Sequence, residues 1–241
     1  MPPLRVTVFD YGAGNLHSLV KALELPDTTV LVESDPIRAA QNCDALILPG
    51  VGAFAPAAER LAPGLREMRS AIRQGLPCLG ICLGMQLMFE SSTEGPGEGL
   101  GIFGGEVARL NAKRVPQIGW NSLEYASPVD PLFAQSDLRL AYYANSFVGR
   151  PTGDALSKVV AWSEHEGDRF PAVVRAGHAV GAQFHPEKSS RAGVQFVRAF
   201  LNEAASVRDA SVRDAAVRDS AVRDSAVRDS AVRDPLTSSI T

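Results

Sequence analysis

Along the N-terminal part of the chain, short apolar runs alternate with amphipathic stretches, and glycine or proline marks each change of period. Residues 4–10 read as a buried strand, a glycine turn follows over 11–15, and the spacing predicts a helix over about 16–25. Two further strands are predicted at 29–32 and 44–48, the second ending on Pro49-Gly50-Val51-Gly52. A long helical pattern over about 57–74 then leads into a strand at 77–81, a tight turn and another helix. Strands joined in this way by crossover helices imply a parallel sheet covered on both faces. Beyond Gly104 the texture becomes rich in turns, with strands at 158–162 and 172–175 that predict an antiparallel extension. A last strand at 178–184 and a closing helix over about 189–204 complete the pattern.

From residue 206 the pattern is different in kind. Val-Arg-Asp recurs every five residues, starting at 207, 212, 217, 222, 227 and 232. Five residues advance about 500° around a helix, so the valines drift over every face and build no apolar stripe. Each Asp lies four residues before the next Arg, which favours transient helicity, but no core can come from the repeat. The expectation is a catalytic domain over 1–205 and a mostly disordered, near-neutral tail over 206–241, dispensable for catalysis.

Composition narrows the function classes. With 241 residues, 45% of them hydrophobic, the chain can bury one sizeable core. A formal net charge of -3 with both signs interspersed argues against a nucleic-acid or anionic-lipid surface. No apolar run reaches the roughly 20 residues that span a bilayer, and Met1-Pro2-Pro3-Leu4-Arg5 enters a strand without a signal-peptide core, so a cytoplasmic location is expected. Three cysteines without Cys-x-x-Cys spacing fit neither a disulfide framework nor a zinc site, and no metal or cofactor is expected. Cys43 and Cys78 lie in or beside apolar runs and read as small core residues.

Cys82 is the exception. In Gly80-Ile81-Cys82-Leu83-Gly84 it stands between two glycines at a strand-to-helix corner, a turn so tight that only small residues fit two positions either side. Such a corner lifts a nucleophile above the sheet edge, where the following helix N-terminus favours a thiolate. Far downstream, Gln183-Phe184-His185-Pro186-Glu187 supplies a base and a carboxylate two residues apart, which an extended segment would turn to one face. The result is a Cys-His-Glu triad in outline, suited to acyl transfer through a thioester. Asn15, the 49–52 loop, Cys82 and His185 all fall at carboxyl ends of predicted strands, where open α/β sheets bind ligands.

These motifs resemble the class I glutamine amidotransferases, with their flavodoxin-like α/β fold: an open, mostly parallel sheet, helices on both faces and an antiparallel extension. Residues 10–16, 49–54, 116–121 and 185–190 sharpen the likeness to the glutaminase subunits of imidazole glycerol phosphate synthases, enzymes of histidine biosynthesis. The resemblance covers about residues 4 to 202 and leaves the repeat unmatched. It implies hydrolysis of L-glutamine to L-glutamate and ammonia, with Cys82 as nucleophile, His185 as base and acid and Glu187 as its orienting partner. It also implies oxyanion and substrate contacts from Gly50, Val51, Gly52, Leu83 and Gln86. The implied partner is a (βα)₈-barrel cyclase subunit in a heterodimer, which receives the ammonia and makes imidazole glycerol phosphate and aminoimidazole carboxamide ribonucleotide. Asn15, Trp120, Tyr142 and Lys188 match positions at that interface or its ammonia gate.

One position departs from the family. Asn145 stands where its members usually carry histidine, and an amide can hydrogen-bond there but cannot carry a proton. Two alternatives stay open on the sequence: a glutaminase serving another synthase, and a free-standing thiol hydrolase acting on γ-glutamyl bonds.

Overall fold

The computed structural model describes residues 2–12 and 16–232, with side chains as far as residue 214. The chain divides into two compact units, with the boundary after Ala204.

The first unit opens with β1 (Leu4–Phe9), α1 (His17–Leu23) and β2 (Thr28–Glu33). Val6, Val8 and Phe9 of β1 are fully buried, as the apolar run requires, whereas β2 is an edge strand and leaves Leu31 largely exposed. Next come α2 (Pro36–Ala39), capped by the Asp35 carboxylate, and β3 (Ala45–Leu48), buried along its whole length. The helical region expected over 57–74 is in fact two helices, α3 (Phe54–Leu61) and α4 (Leu65–Arg73), joined by a 3-10 turn at Ala62–Gly64. Pro63 lacks the N–H that a continuous helix would use at that point.

The strand β4 (Cys78–Ile81) and the one-turn helix α5 (Leu83–Leu87) follow, with Cys82 between them. Then come β5 (Ser91–Ser92), β6 (Gly105–Arg109), β7 (Gln117–Ser122), β8 (Glu124–Tyr125), α6 (Pro131–Ser136), β9 (Leu140–Asn145) and β10 (Phe147–Pro151). β11 (Val159–His165), β12 (Asp168–Ala176) and β13 (Ala179–Ala182) complete the strands.

Eight of these form the main sheet, in the order β2-β1-β3-β4-β13-β12-β11-β8. The first five are mutually parallel and the last three antiparallel, the open sheet with an antiparallel extension that the alternation implies. Two small sheets, β10-β6-β5 and β7-β9, carry the turn-rich middle of the chain.

The last helix, α7 (Ser190–Val232), buries Phe196, Val197, Phe200 and Leu201 in its first turns. Phe196 meets Phe184 edge to face at 5.6 Å, and Phe184 meets Tyr143 at 6.0 Å, so this aromatic chain anchors the segment leading to His185. The helix does not stop near Ala204 but continues into the repeats expected to be disordered; residues 233–241 lie outside the described part. Neither glycine nor proline occurs between 194 and 234 to break it. Among the described residues no helix is long and apolar enough to cross a membrane.

Candidate active site

Three neighbouring parallel strands deliver three segments to one edge of the sheet. β3 ends in the 49–52 loop, β4 in Cys82, and β13 in the segment leading to His185. The register holds Leu48 beside Gly80 and Ala182 beside Ile81, and the Cys82 N–H donates to the Ala182 carbonyl at 2.7 Å.

At the corner Cys82 takes φ 48 and ψ -103, a conformation that costs a non-glycine residue about 1–3 kcal/mol. Close packing enforces it. A Cβ on Gly84 would lie 2.0 Å from the Leu48 carbonyl oxygen, so the first turn of α5 rests directly on the β3 backbone. A Cβ on Gly50 would lie 2.6 Å from the Ile81 carbonyl oxygen and 3.0 Å from Cys82 Cβ, which brings the loop backbone against the elbow. The first bond of α5 runs from the Gln86 N–H to the Cys82 carbonyl, leaving the N–H groups of Leu83 and Gly84 ahead of the helical ladder.

His185 is 2% exposed and its Nδ1 lies 2.8 Å from Glu187 Oε1. The pair does not form on an extended strand, as the two-residue spacing suggests, but across the 3-10 turn Pro186–Lys188, for which Pro186 supplies a ready φ. Ser189, fully buried, fixes this turn: its hydroxyl donates to the His185 carbonyl at 2.6 Å and accepts the Tyr142 N–H at 2.9 Å. The other ring nitrogen of His185 has no partner in Glu187, and both His185 and Cys82 line the same cavity. Burial lowers the pKa of His185, but the hydrogen bonds and negative charge of Cys82 and Glu187 outweigh it and raise the pKa to about 10. Burial pushes the Cys43 thiol up to about 11 and the fully buried Cys78 thiol further, so both stay protonated at neutral pH.

Cys82, His185, Gly50, Val51, Gly52, Leu83 and Gln86 line one cavity of about 230 Å³, with Lys188 at its wall and Glu187 behind the imidazole. Trp120 and Tyr142 meet edge to face at 6.1 Å on β7 and β9, with the Lys188 ammonium 5.9 Å from the Tyr142 ring. Asn15 lies outside the described residues.

Three further residues stand at the cavity or behind it, of which the sequence singled out only Asn145. Glu94 accepts the Phe54 N–H at 2.8 Å, closing the N-terminus of α3 with one oxygen while its side chain lines the cavity. Asn145 donates to the Phe147 carbonyl at 3.1 Å and leaves its own Oδ1 buried without a partner. Gln183 donates to the Cys82 sulfur at 3.5 Å. The same period of two that singled out Glu187 after His185 points back to Gln183, whereas Glu94 sits in a loop without any pattern. The assembly is a thiol beside an imidazole, backbone donors for an oxyanion, and a pocket for a small polar molecule, the equipment of acyl transfer.

The sequence model of the family described as glutamine amidotransferase class-I matches residues 7–204. Imidazole glycerol phosphate synthase subunit HisH of Thermus thermophilus is 42% identical over 197 residues, which cover 80% of this chain and 95% of that protein. The protein of the same name from Leifsonia xyli subsp. xyli is 43% identical over 207 residues, covering 81% of this chain and 97% of its own. Among solved structures, PurLQS from Thermotoga maritima superposes with a TM-score of 0.62 at 21% identity, covering 84% of this chain and 99% of that one.

Proposed function

The chain belongs to the class-I glutamine amidotransferase family, and from that premise we propose that it is the glutaminase subunit of an imidazole glycerol phosphate synthase in histidine biosynthesis. The observation that carries the reading is the convergence of the glycine loop, Cys82 and the His185–Glu187 pair around one cavity at the ends of three adjacent strands.

In this reading L-glutamine enters the cavity side chain first. The Cys82 thiolate attacks the γ-carboxamide carbon, and the resulting oxyanion is held by the Leu83 N–H and the Gly50–Val51 backbone. His185 passes the thiol proton to the departing nitrogen, and ammonia leaves a γ-glutamyl thioester. His185 then takes a proton from water, which hydrolyses the thioester to glutamate and restores the thiol. Glu187 holds the ring so that the same nitrogen faces the sulfur throughout. The amide nitrogen of Gln86 is spent on the Phe147 carbonyl and Gln183, which leaves its Oε1 as the atom offered to substrate. Glu94 supplies negative charge at the cavity wall, suited to the α-ammonium group.

Free ammonia is useful only while unprotonated, so the synthase reading requires a sealed route to a (βα)₈-barrel cyclase subunit. An exposed apolar face supports that surface: Ile118 and Trp120 of β7 with Leu140 and Tyr142 of β9 stand on one side of their two-stranded sheet, three of them more than half exposed. Asn15, Trp120, Tyr142 and Lys188 form the gate in this proposal, and the complex works in the cytoplasm.

The test compares glutamate release by wild type and Cys82→Ala, each with and without the cyclase and its nucleotide ligand. Cys82→Ala should lose at least about 10³-fold in turnover while complex formation survives. Comparable turnover in the variant removes Cys82 from the mechanism. Full wild-type turnover without any cyclase favours a free-standing hydrolase.

A further inference from the structure

Behind the reactive sulfur lies a chain of buried amides. Gln183 is fully buried and Gln86 is 5% exposed, so both amides are almost wholly withdrawn from solvent and their orientation is set by the groups around them. The order begins at a backbone carbonyl. The Phe147 oxygen can only accept, and it takes Gln86 Nε2 at 2.9 Å and Asn145 Nδ2 at 3.1 Å. With Gln86 fixed in that sense, its Nε2 also faces Gln183 Oε1, at 3.3 Å. Gln183 must then present its other end, Nε2, to Cys82 Sγ, at 3.5 Å. The alternative flip would set donor against donor at Gln86 and oxygen against sulfur.

We infer that Gln183 is a positioning residue for the nucleophile: its N–H group, oriented through Gln86 by the Phe147 carbonyl, holds and stabilises the Cys82 thiolate in the resting enzyme. The inference rests on the reading of Cys82 as nucleophile. A donor aimed at sulfur favours the anion over the thiol, and inside a buried cluster that preference is undiluted by water. It works from the end of β13, whereas the imidazole is held by the 3-10 turn, so the two groups that act on the sulfur have different supports. The same relay links the amide that meets substrate to the atom that attacks it.

The test reads sulfur reactivity without requiring turnover. Full-length wild type, Gln183→Met and Gln183→Glu are treated with iodoacetamide across a pH series, and modification is followed at the Cys82 peptide by mass spectrometry, which separates it from the other two thiols, Cys43 and Cys78. Met keeps the volume and removes the donor; Glu keeps the shape and turns an oxygen toward the sulfur. At neutral pH, Gln183→Met should be alkylated about tenfold more slowly than wild type, the size expected for one hydrogen bond to a charged group. Gln183→Glu should be slower still, and both should recover in alkaline buffer, where the thiolate forms without help. Neutral-pH rates within about twofold of wild type overturn the inference. So does a loss that persists in alkali, because displacement of the sulfur would then be its cause. Failure of the functional reading has a separate sign, glutamine turnover retained by Cys82→Ala.

Discussion

In the proposed mechanism the chemistry turns on His185. In water an imidazole is mostly neutral above its ordinary value of 6.5, and burial alone would depress it further. The Cys82 and Glu187 contacts reverse that effect, so the folded protein keeps His185 protonated up to about pH 10. An imidazolium is the acid that the departing nitrogen needs, so glutaminase turnover should hold from neutral pH and fall as pH rises through about 10. Because the folded pKa is raised, the charge pair also contributes stability that is fully present below 6.5 and disappears as pH climbs through about 10. Glu187→Gln removes one of the two anions. The descending limb of the pH–rate profile should then move toward neutrality, and turnover should drop by about 10²-fold or more from a less firmly oriented ring. An unmoved limb in the variant would show that Glu187 does not govern the imidazole.

At the scale of elements, the elbow depends on the contact between α5 and β3. Gly84 is the contact point, and no flexible side chain is available to yield to a Cβ there: the obstacle is the Leu48 carbonyl. Gly84→Ala should therefore cost about 1–3 kcal/mol of stability and displace Cys82, lowering turnover more than a substitution elsewhere on α5 of equal thermal cost. Urea unfolding and steady-state assays on the same preparations check both parts.

Much of this element-level architecture was legible beforehand, because apolar runs bounded by glycine report buried parallel strands whatever their partners. The elbow and the distant His185–Glu187 pair were legible for the same reason, since a tight turn and a two-residue spacing are local properties. What escaped depends on contacts between remote segments. Ser189 earns its place only by bridging His185 to β9, and Glu94 by reaching the N-terminus of a helix 40 positions earlier. The turn that joins His185 to Glu187 was misread as extended, because spacing alone does not separate a strand from one turn of 3-10 helix.

On the scale of the whole molecule, the question is what the repeat segment adds to the catalytic unit. Ala204 is the last fully buried side chain of α7 among the described residues, and positions 211–214 are all exposed. The pentapeptide turns its valines by about 140° per repeat relative to the helix, so a helical repeat presents no continuous apolar face to pack. Its Asp-to-Arg pairs stabilise a helix locally, each by roughly 0.2–0.5 kcal/mol, and that gain is spent within the segment itself. Folding of the first unit and the chemistry at Cys82 should therefore be independent of the repeats. A chain ending at Ala210 should match the full protein in glutamine turnover with the proposed cyclase subunit, and its unfolding free energy should agree within about 0.5 kcal/mol. Far-UV circular dichroism of the two chains separates the remaining possibilities: the helical signal lost on truncation measures the helix content of residues 211–241. A fall in turnover at unchanged stability would assign the repeats a part in assembly with the partner.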